Sequence, residues 1–490
     1  MAGSGSLFPG SQCAEAAALS QRSPASTDVD VVVVGGGYSG LMSAYDLQQA
    51  GLTTVLLEAK DVLGGKARSQ KLKSGPGIIE LGATWINNKT QPTVFELTEQ
   101  FGLKTLEQYT EGDSILQGVD GVTYRVATDG SEEPTEEVDE ATLLEAKLIG
   151  LIIEAADKID IRDFDNFPEL EDVSVANWVA MKGLWKHENI RGMTSWLTTS
   201  LVGREPDEVG AHYFFDYIKS GNGLLSLLSE GQEGAQSLMI EEGTTSIATH
   251  LAEAMTPGSV LLNHPVTKIE QQNDTSIVTA GANNQTFRAK NVILAITPHM
   301  YADVEFSPPL PCEKNVLVAR GQPGVYAKMI LTYAEPWWRH AGLVGRFTSL
   351  TGPIRFSLEI SNPALSQYSL AIFITGDSAT CWSALSHEGK ENAIVEHLVA
   401  MVGEEIADQA RNTLEINYVE WTKEEYIMGA PTVALGPGIL SKYGGIMREP
   451  FGIIHFASTE LAYEWKGYLE GAITSGKRAA EEIIEVRGKQ

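Results

Sequence analysis

The sequence predicts an α/β protein in which a main domain, split along the chain, is interleaved with a second domain of the α+β class. An almost unbroken run of β-branched residues, Val29 to Val34, is followed by glycines, a helical pattern over 41–50 and a second apolar strand over 53–57. This is the order of a parallel βαβ unit. A short apolar strand and a final helix return near the end of the chain. The 490 residues exceed the ~250–300 that one hydrophobic core organises, so a second domain is expected.

The domain boundaries follow from shifts in pattern along the chain. The main domain is predicted to comprise three segments, 29–105, 235–310 and 415–490. The second domain is predicted to comprise 106–234, which is largely helical from residue 140, and 311–414, which is β-rich and then forms one helix over 390–411. Residues 1–28 are small and polar, without a basic start or an apolar core, so they are predicted to be a flexible extension rather than a secretory signal.

Composition excludes several classes of function. The formal net charge is −28, which disfavours binding to nucleic acid and to anionic lipid surfaces. The 3 cysteines show no metal-ligand spacing and no disulfide framework, which fits a reducing compartment. No apolar run reaches the ~18–20 residues that span a bilayer. We therefore expect a cytoplasmic protein without a metal site or a membrane partner; its oligomeric state, a homodimer included, stays open.

A glycine-rich loop joins the first strand to the first helix. It reads Gly35-Gly36-Gly37-Tyr38-Ser39-Gly40 and fits GxGxxG. Gly35 permits the tight turn, Gly37 lets the backbone approach a pyrophosphate, and Gly40 lets the helix pack closely on the strand. The helix N-terminus offers free N–H groups to the phosphates. Glu58 ends the next strand, where a carboxylate accepts hydrogen bonds from the ribose hydroxyls. The loop in this context predicts dinucleotide binding.

A second glycine pair favours FAD over NAD. It lies directly behind the acidic strand end, in Leu63-Gly64-Gly65-Lys66-Ala67-Arg68-Ser69. Glycines followed by basic residues suit further phosphate contacts, which NAD-binding folds do not need. The predicted fold is therefore a split Rossmann-like FAD-binding domain with an interleaved α+β substrate-binding domain.

Two further blocks make the chain resemble the flavin-containing monoamine oxidase family, including its fungal members. One is Glu80-Leu81-Gly82-Ala83-Thr84-Trp85; the other combines 455–460 with Trp465-Lys466-Gly467-Tyr468-Leu469-Glu470-Gly471-Ala472. The resemblance covers about Asp28 to Val486. Motifs and resemblance together predict the FAD-binding residues Gly35, Gly37, Tyr38, Ser39, Gly40, Glu58, Ala59, Gly65, Lys66, Arg68, Gly82, Ala83, Thr84, Trp85, Val266, Thr459, Glu460 and Leu469.

The resemblance also implies three catalytic residues. Lys328 resembles the family lysine that holds a water against flavin N5, whereas base rates alone place a lysine in an apolar strand facing solvent. Trp421 resembles the tryptophan packed beside the isoalloxazine. Tyr468 matches one of the two aromatic rings that face the amine in animal monoamine oxidases.

The chain departs from that pattern in ways that bear on cofactor and substrate. Ala430 stands where the animal enzymes hold FAD through a cysteine thioether, so FAD is expected to be non-covalent. Pro431 stands at the second ring position, so the aromatic cage is half missing, and a bulkier or longer amine is expected. A loose alignment places Gln232, Leu227 and neighbouring leucines 224, 225 and 228 on the substrate route. No C-terminal membrane anchor is expected.

The implied reaction is oxidative deamination of a primary amine, with oxygen as acceptor, to an aldehyde or ketone, ammonia and hydrogen peroxide. Three alternatives stay open. An L-amino-acid oxidase needs an arginine for the substrate carboxylate, for which Arg355 is a candidate. A polyamine oxidase needs acidic residues along a tunnel, and 110–172 is rich in them. A flavoprotein without turnover would not need Lys328, Trp421 and Tyr468 together.

Overall fold

The computed structural model of the protein describes residues 27–127 and 140–488, so the predicted extension 1–28 lies outside the described residues except for its last two positions. The strands, in chain order, are β1 Thr27–Val34, β2 Thr54–Leu57, β3 Ser69–Lys71, β4 Ile78–Glu80, β5 Trp85–Ile86, β6 Thr105–Glu107, β7 Asp113–Gln117, β8 Thr123–Val126, β9 Leu238–Ile240, β10 Val260–Leu261, β11 Val266–Gln272, β12 Thr275–Ala280, β13 Gln285–Leu294, β14 Glu305–Ser307, β15 Gly321–Pro323, β16 Tyr326–Tyr333, β17 Leu343–Ser349, β18 Phe356–Glu359, β19 Tyr368–Thr375, β20 Glu415–Glu420, β21 Val433–Leu435 and β22 Ile454–Phe456. The helices are α1 Tyr38–Gln49, α2 Pro92–Gln100, α3 Glu140–Asp157, α4 Val175–Met181, α5 Glu188–Val202, α6 Ala211–Ser220, α7 Leu224–Leu227, α8 Thr245–Glu253, α9 Cys312–Arg320, α10 Trp337–His340, α11 Gly376–Ser383, α12 His387–Val402, α13 Ala407–Arg411, α14 Ile439–Tyr443 and α15 Leu469–Gly488.

An eight-stranded sheet forms the main domain. Its order is β10-β2-β1-β13-β12-β11-β14, and β22 pairs with β13 at the point where β12 leaves it. β1 pairs in parallel with both β2 and β13. Side chains of β1 alternate between two buried cores: Val31 and Val33 enter one, and Val32 and Val34 enter the other. This double burial explains why the strand is a continuous β-branched run. The predicted βαβ unit and the α/β class are confirmed.

The second domain combines helices with an antiparallel sheet of order β18-β19-β16-β20. Helices α3 to α6 share one apolar core, and the sheet shares another with α12. A three-stranded sheet, β17-β7-β8, lies beside them. Among the described residues, no helix is long and apolar enough to cross a membrane.

Two details differ from the sequence-based expectations. The single helix expected over 390–411 is two helices, α12 and α13, because Gly403 between them takes a left-handed backbone with φ +84°. The division into domains stays a prediction, but β20 departs from its boundary at 415. This strand pairs with β16 from Ala327 to Thr332 and so belongs to the sheet of the second domain.

Candidate active site

The loop between β1 and α1 has no room for side chains at its critical positions. Gly35 takes φ +103°, and a Cβ on Gly40 would lie 1.9 Å from the carbonyl oxygen of Gly35. Gly37 meets Gly64 of the second glycine pair in a bridge, and a Cβ on Gly65 would lie 3.2 Å from the Cα of Gly37. Both loops therefore present bare backbone at the N-terminus of α1, which is the arrangement that binds a pyrophosphate.

A cavity of about 310 Å³ opens along these loops. Two thirds of the predicted FAD-binding residues line it: Gly35, Gly37, Tyr38, Ser39, Glu58, Gly65, Lys66, Arg68, Ala83, Thr459, Glu460 and Leu469. The Glu58 carboxylate accepts hydrogen bonds from the backbone N–H groups of Gly36 and Lys60, and burial raises its pKa. Three lining groups have no hydrogen-bond partner: the hydroxyls of Thr297 and Ser458, and Glu460 Oε2. A cavity along two glycine loops, with unsatisfied polar groups in its wall, fits FAD.

Two ion pairs stiffen the wall of this cavity. Lys66 Nζ lies 2.7 Å from Glu460 Oε1 and donates a second hydrogen bond to the Pro431 carbonyl oxygen at 2.7 Å. Burial alone would raise the pKa of Glu460, but the charge of Lys66 and the hydrogen bonds hold it below its ordinary value. Arg68 pairs with Glu424, and its guanidinium lies 5.0 Å from the ring centre of Trp421.

A second cavity, of about 340 Å³, continues from the first. The two share five lining residues: Lys66, Ala83, Gly467, Tyr468 and Leu469. Leu469 begins α15, so the free N–H groups of this helix lie at the junction. Because a flavin ring extends from the pyrophosphate of FAD, the junction is where the ring would lie, and the second cavity would hold the substrate.

Lys328 lines the second cavity and is only 2% exposed. Its Nζ donates to the Gly82 carbonyl oxygen at 3.0 Å and to the hydroxyl of Thr84. Both residues belong to the segment 82–85, which is predicted to bind FAD. The rings of Trp85 and Phe373 flank it with centres at 5.2 and 5.1 Å. Burial lowers the pKa of Lys328 to about 7, well below that of an exposed lysine.

Glu80 is a charged residue that was not among the site residues predicted from the sequence. Its Oε1 accepts from the Ser69 hydroxyl at 2.9 Å and from the Thr244 N–H, while Oε2 has no partner. Burial raises the pKa of Glu80 and lowers that of Lys328, while the opposite charge of each acts against the effect of burial on the other. The protonation of Glu80 and that of Lys328 therefore depend on each other.

Aromatic rings make up much of the substrate cavity. Tyr468 packs against the apolar cluster that contains Tyr217 and meets the Trp465 ring edge-on at 5.2 Å. Ala430 and Pro431 also line this cavity. The remaining aromatic lining residues are Trp85, Trp196, Tyr326, Phe356, Phe373 and Trp421.

Most of these rings were missed from sequence, although one, Tyr326, could have been found. Tyr326 lies two residues before Lys328 on β16, so a period of two places both on one face. Phe373 is the cross-strand partner of both Lys328 and Phe356, and its ring stacks on Phe356 at 4.3 Å. That second relation depends on strand register, which the sequence pattern does not reveal.

Several predicted site residues lie elsewhere. Gln232 is exposed and does not line the cavity; Gln236 does, together with Leu227 and Leu228. Leu225 is 68% exposed. The remaining predicted residues have these positions: Gly82, Thr84 and Trp85 line the substrate cavity, Gly40 packs beneath the loop, Ala59 lines a shallow hollow outside the FAD cavity, and Val266 lies between two residues of that hollow.

Arg355, the candidate for a substrate carboxylate, is buried but does not line the cavity. Its neighbour Phe356 does. The arginine that lines the cavity is Arg346, which is paired with Glu230. The geometry therefore gives the amino-acid oxidase alternative no free arginine among the lining residues.

The chain was compared with protein families and with known proteins. The family model described as flavin containing amine oxidoreductase matches residues 38–484. Amine oxidase [flavin-containing] B of Sus scrofa is 30% identical over 476 residues, which cover 95% of this chain and 88% of that protein. A probable flavin-containing monoamine oxidase A of Dictyostelium discoideum is 31% identical over 469 residues, covering 94% and 98%.

Solved structures show the same fold. Cyclohexylamine oxidase from Brevibacterium oxydans superposes with a TM-score of 0.86 at 28% identity, over 94% of this chain and 100% of that one. Wild-type putrescine oxidase bound to putrescine superposes with a TM-score of 0.85 at 25% identity and the same coverage.

Proposed function

Because the chain belongs to the flavin containing amine oxidoreductase family and is an FAD-dependent oxidoreductase acting on amines, we propose that its substrate is a bulky or long primary amine. The products would be an aldehyde or ketone, ammonia and hydrogen peroxide, with oxygen as the electron acceptor. FAD would be held without a covalent bond. Location in the cytoplasm stays a prediction from the sequence.

The observation that carries this proposal is the shape of the substrate cavity at its junction with the FAD cavity. The wall contains the ring of Tyr468 together with Ala430 and Pro431, neither of which carries an aromatic ring. A proline leaves more open space than a second aromatic ring would. The cavity of about 340 Å³ then extends away from the junction between Leu227, Trp196 and Phe356. This space supports a substrate with a large group on the amine-bearing carbon.

When bound, FAD supplies the acceptor for the hydride equivalent of the amine carbon and passes the electrons to oxygen. The residues of the chain prepare the amine for that step. The aromatic walls exclude water, and desolvation favours the neutral amine over the ammonium ion. The ring of Tyr468, packed edge-on against Trp465, would orient the nitrogen lone pair.

Two groups of the chain, the N-terminus of α15 and the amine of Lys328, would act on charge that develops beside the flavin. The N-terminus of α15 at Leu469 carries a partial positive charge, which stabilises negative charge placed at the junction. Lys328 is fixed by Gly82 and Thr84 with its amine inside the cavity wall. A lysine with a pKa of about 7 can hold a water molecule and exchange a proton with it at neutral pH.

The proposal is tested by peroxide release from the FAD-loaded protein. The substrates are primary amines of graded length and bulk, with secondary amines, amino acids and polyamines beside them. We expect peroxide from primary amines, with kcat/KM rising toward the longer and bulkier ones. Activity confined to amino acids or polyamines would overturn the substrate assignment. A Lys328→Met variant that still binds FAD serves as the low-activity control.

A further inference from the structure

We propose that the ion pair between Glu230 and Arg346 is a charge filter for the part of the substrate remote from the amine. It admits amines with an apolar or hydroxyl-bearing tail and discriminates against tails with a second charge. The inference rests on the proposed function, because it concerns the same cavity. Neither residue was assigned a role from the sequence.

The pair belongs to the substrate domain. Glu230 lies in the segment after α7, and Arg346 lies in β17. Arg346 Nε donates to Glu230 Oε1 at 3.0 Å, and Arg346 Nη2 contacts Oε2, so the contact is bidentate. Both side chains line the cavity, with 12% of Glu230 and 29% of Arg346 exposed. A bidentate pair of low exposure is well ordered and directional.

Among the described residues that line the cavity, Glu230 and Arg346 compensate each other's charge. Glu230 is the only carboxylate among the described residues that line the substrate cavity. The other lining cations are Lys66, which is paired with Glu460, and Lys328, which bonds to Gly82 and Thr84. Burial lowers the pKa of Arg346, which shows that its surroundings disfavour an uncompensated charge. The pair therefore adds no net charge to the wall as long as it is intact.

A charged substrate tail would disturb this balance. An ammonium group would compete with Arg346 for Glu230, and a carboxylate would compete with Glu230 for Arg346. Each exchange leaves one charged side chain without a partner in a cavity with largely apolar walls, which is strongly unfavourable. A hydroxyl group can donate to Glu230 or accept from Arg346 without breaking the pair. The filter thus selects by charge rather than by size.

The test uses tails matched in length. The substrates are primary amines whose far end is a methyl, hydroxyl, ammonium or carboxylate group, at graded chain lengths, and the enzymes are wild type, Glu230→Gln and Arg346→Gln. We expect wild type to favour methyl and hydroxyl ends. Glu230→Gln frees the arginine and should raise kcat/KM for the carboxylate end, relative to methyl, about tenfold. Arg346→Gln frees the glutamate and should do the same for the ammonium end.

The double variant Glu230→Gln/Arg346→Gln is the control, because it leaves no charge unpaired. It should show neither gain, and Arg346→Lys, which keeps one charge of each sign, should keep the wild-type preference. If one single variant loses its FAD, the other carries the test, because its gain is expected for one charged end only. Unchanged preferences in all variants, or a wild type that favours a charged tail, would overturn the filter.

A binding measurement separates this inference from the proposed function. The same amines are added anaerobically, and the perturbation of the flavin absorption band gives their affinity without turnover. Suppose that no amine releases peroxide, but Glu230→Gln still binds carboxylate-ended amines better and Arg346→Gln binds ammonium-ended amines better. The filter then stands and the proposed function fails. If peroxide forms but neither binding nor turnover depends on the pair, the filter alone is wrong.

Discussion

At the scale of single residues, Lys328 and Glu80 form the least ordinary feature of the molecule. Lys328 is 2% exposed and Glu80 is 7% exposed, and the charge of each acts on the other. Burial disfavours the charged form of each, while each charge favours the other. As a result the pKa of the lysine falls and that of the glutamate rises. Lys328, the member of the pair that lines the substrate cavity, is therefore more easily deprotonated than an exposed lysine.

We predict that Glu80→Gln shifts the pH dependence of the reaction with oxygen. The Glu80 carboxylate raises the pKa of Lys328 against the effect of burial. Without it the pKa of Lys328 falls below about 7, so the step that depends on this lysine shifts toward lower pH. Reoxidation of reduced enzyme, followed by flavin absorbance from pH 5.5 to 9, measures the shift. An unchanged profile, in a variant that binds FAD normally, would show that Glu80 does not act on Lys328.

The sequence could predict Lys328 only through the family resemblance. Composition and strand pattern place such a lysine in solvent, whereas all eight residues of β16 are buried. The reason is that β16 is covered on both sides, by the cavity with Glu80 behind it and by the apolar core of the second domain. The sequence contains no signal for the pairing of Glu230 with Arg346, because the pair joins a loop and a strand that are distant along the chain.

At the scale of elements, the segment before α15 connects the two domains. Lys466, one residue before Gly467 and Tyr468, forms a fully buried ion pair with Asp216 of α6. The Ser220 carbonyl oxygen at the end of α6 accepts from the Trp465 N–H at 2.7 Å. Trp465 itself takes φ +55°, a conformation that needs such support. Helix α6 therefore fixes the position from which Tyr468 enters the cavity.

We expect Lys466→Met to destabilise the folded protein by ~3–5 kcal/mol, because it leaves Asp216 buried and charged without a partner. Chemical denaturation of the FAD-loaded protein measures the change. The double variant Asp216→Asn/Lys466→Met should recover most of the loss. If the single and double variants are equally unstable, the contribution of the pair is packing rather than charge.

Elements with local signals were predicted well, and those that depend on distant partners were not. The first βαβ unit was placed within a few residues because glycines and a β-branched run mark its ends. The helix over 390–411 was wrong, since its break lies at Gly403, which we did not treat as a helix end. The position of β20 depends on pairing with β16, about ninety residues earlier, for which a single sequence carries no signal.

At the scale of the whole molecule, the FAD cavity is built from chain segments that meet only in the folded state. Residues from near 35, 65, 295 and 460 line it together. The cysteines within the described residues, Cys312 and Cys381, are exposed and line neither cavity. The protein would therefore hold its cofactor by shape, hydrogen bonds and charge.

Unfolding should release intact FAD into solution. Acid precipitation of the purified protein is the measurement, and we expect a yellow supernatant and a colourless pellet. FAD retained in the pellet after denaturation and washing would show a covalent link and contradict the account of Ala430. Native gel filtration, in which the flavin absorbance stays with the protein, is the matched control.

The measurement that tests the account most directly is anaerobic mixing of the FAD-loaded protein with one long primary amine. We predict that the flavin absorption band bleaches, that the aldehyde or ketone forms in equal amount, and that admission of oxygen restores the band with one peroxide per flavin. A flavin that dithionite bleaches, but that neither this amine nor any shorter or bulkier one changes, would contradict the central claim.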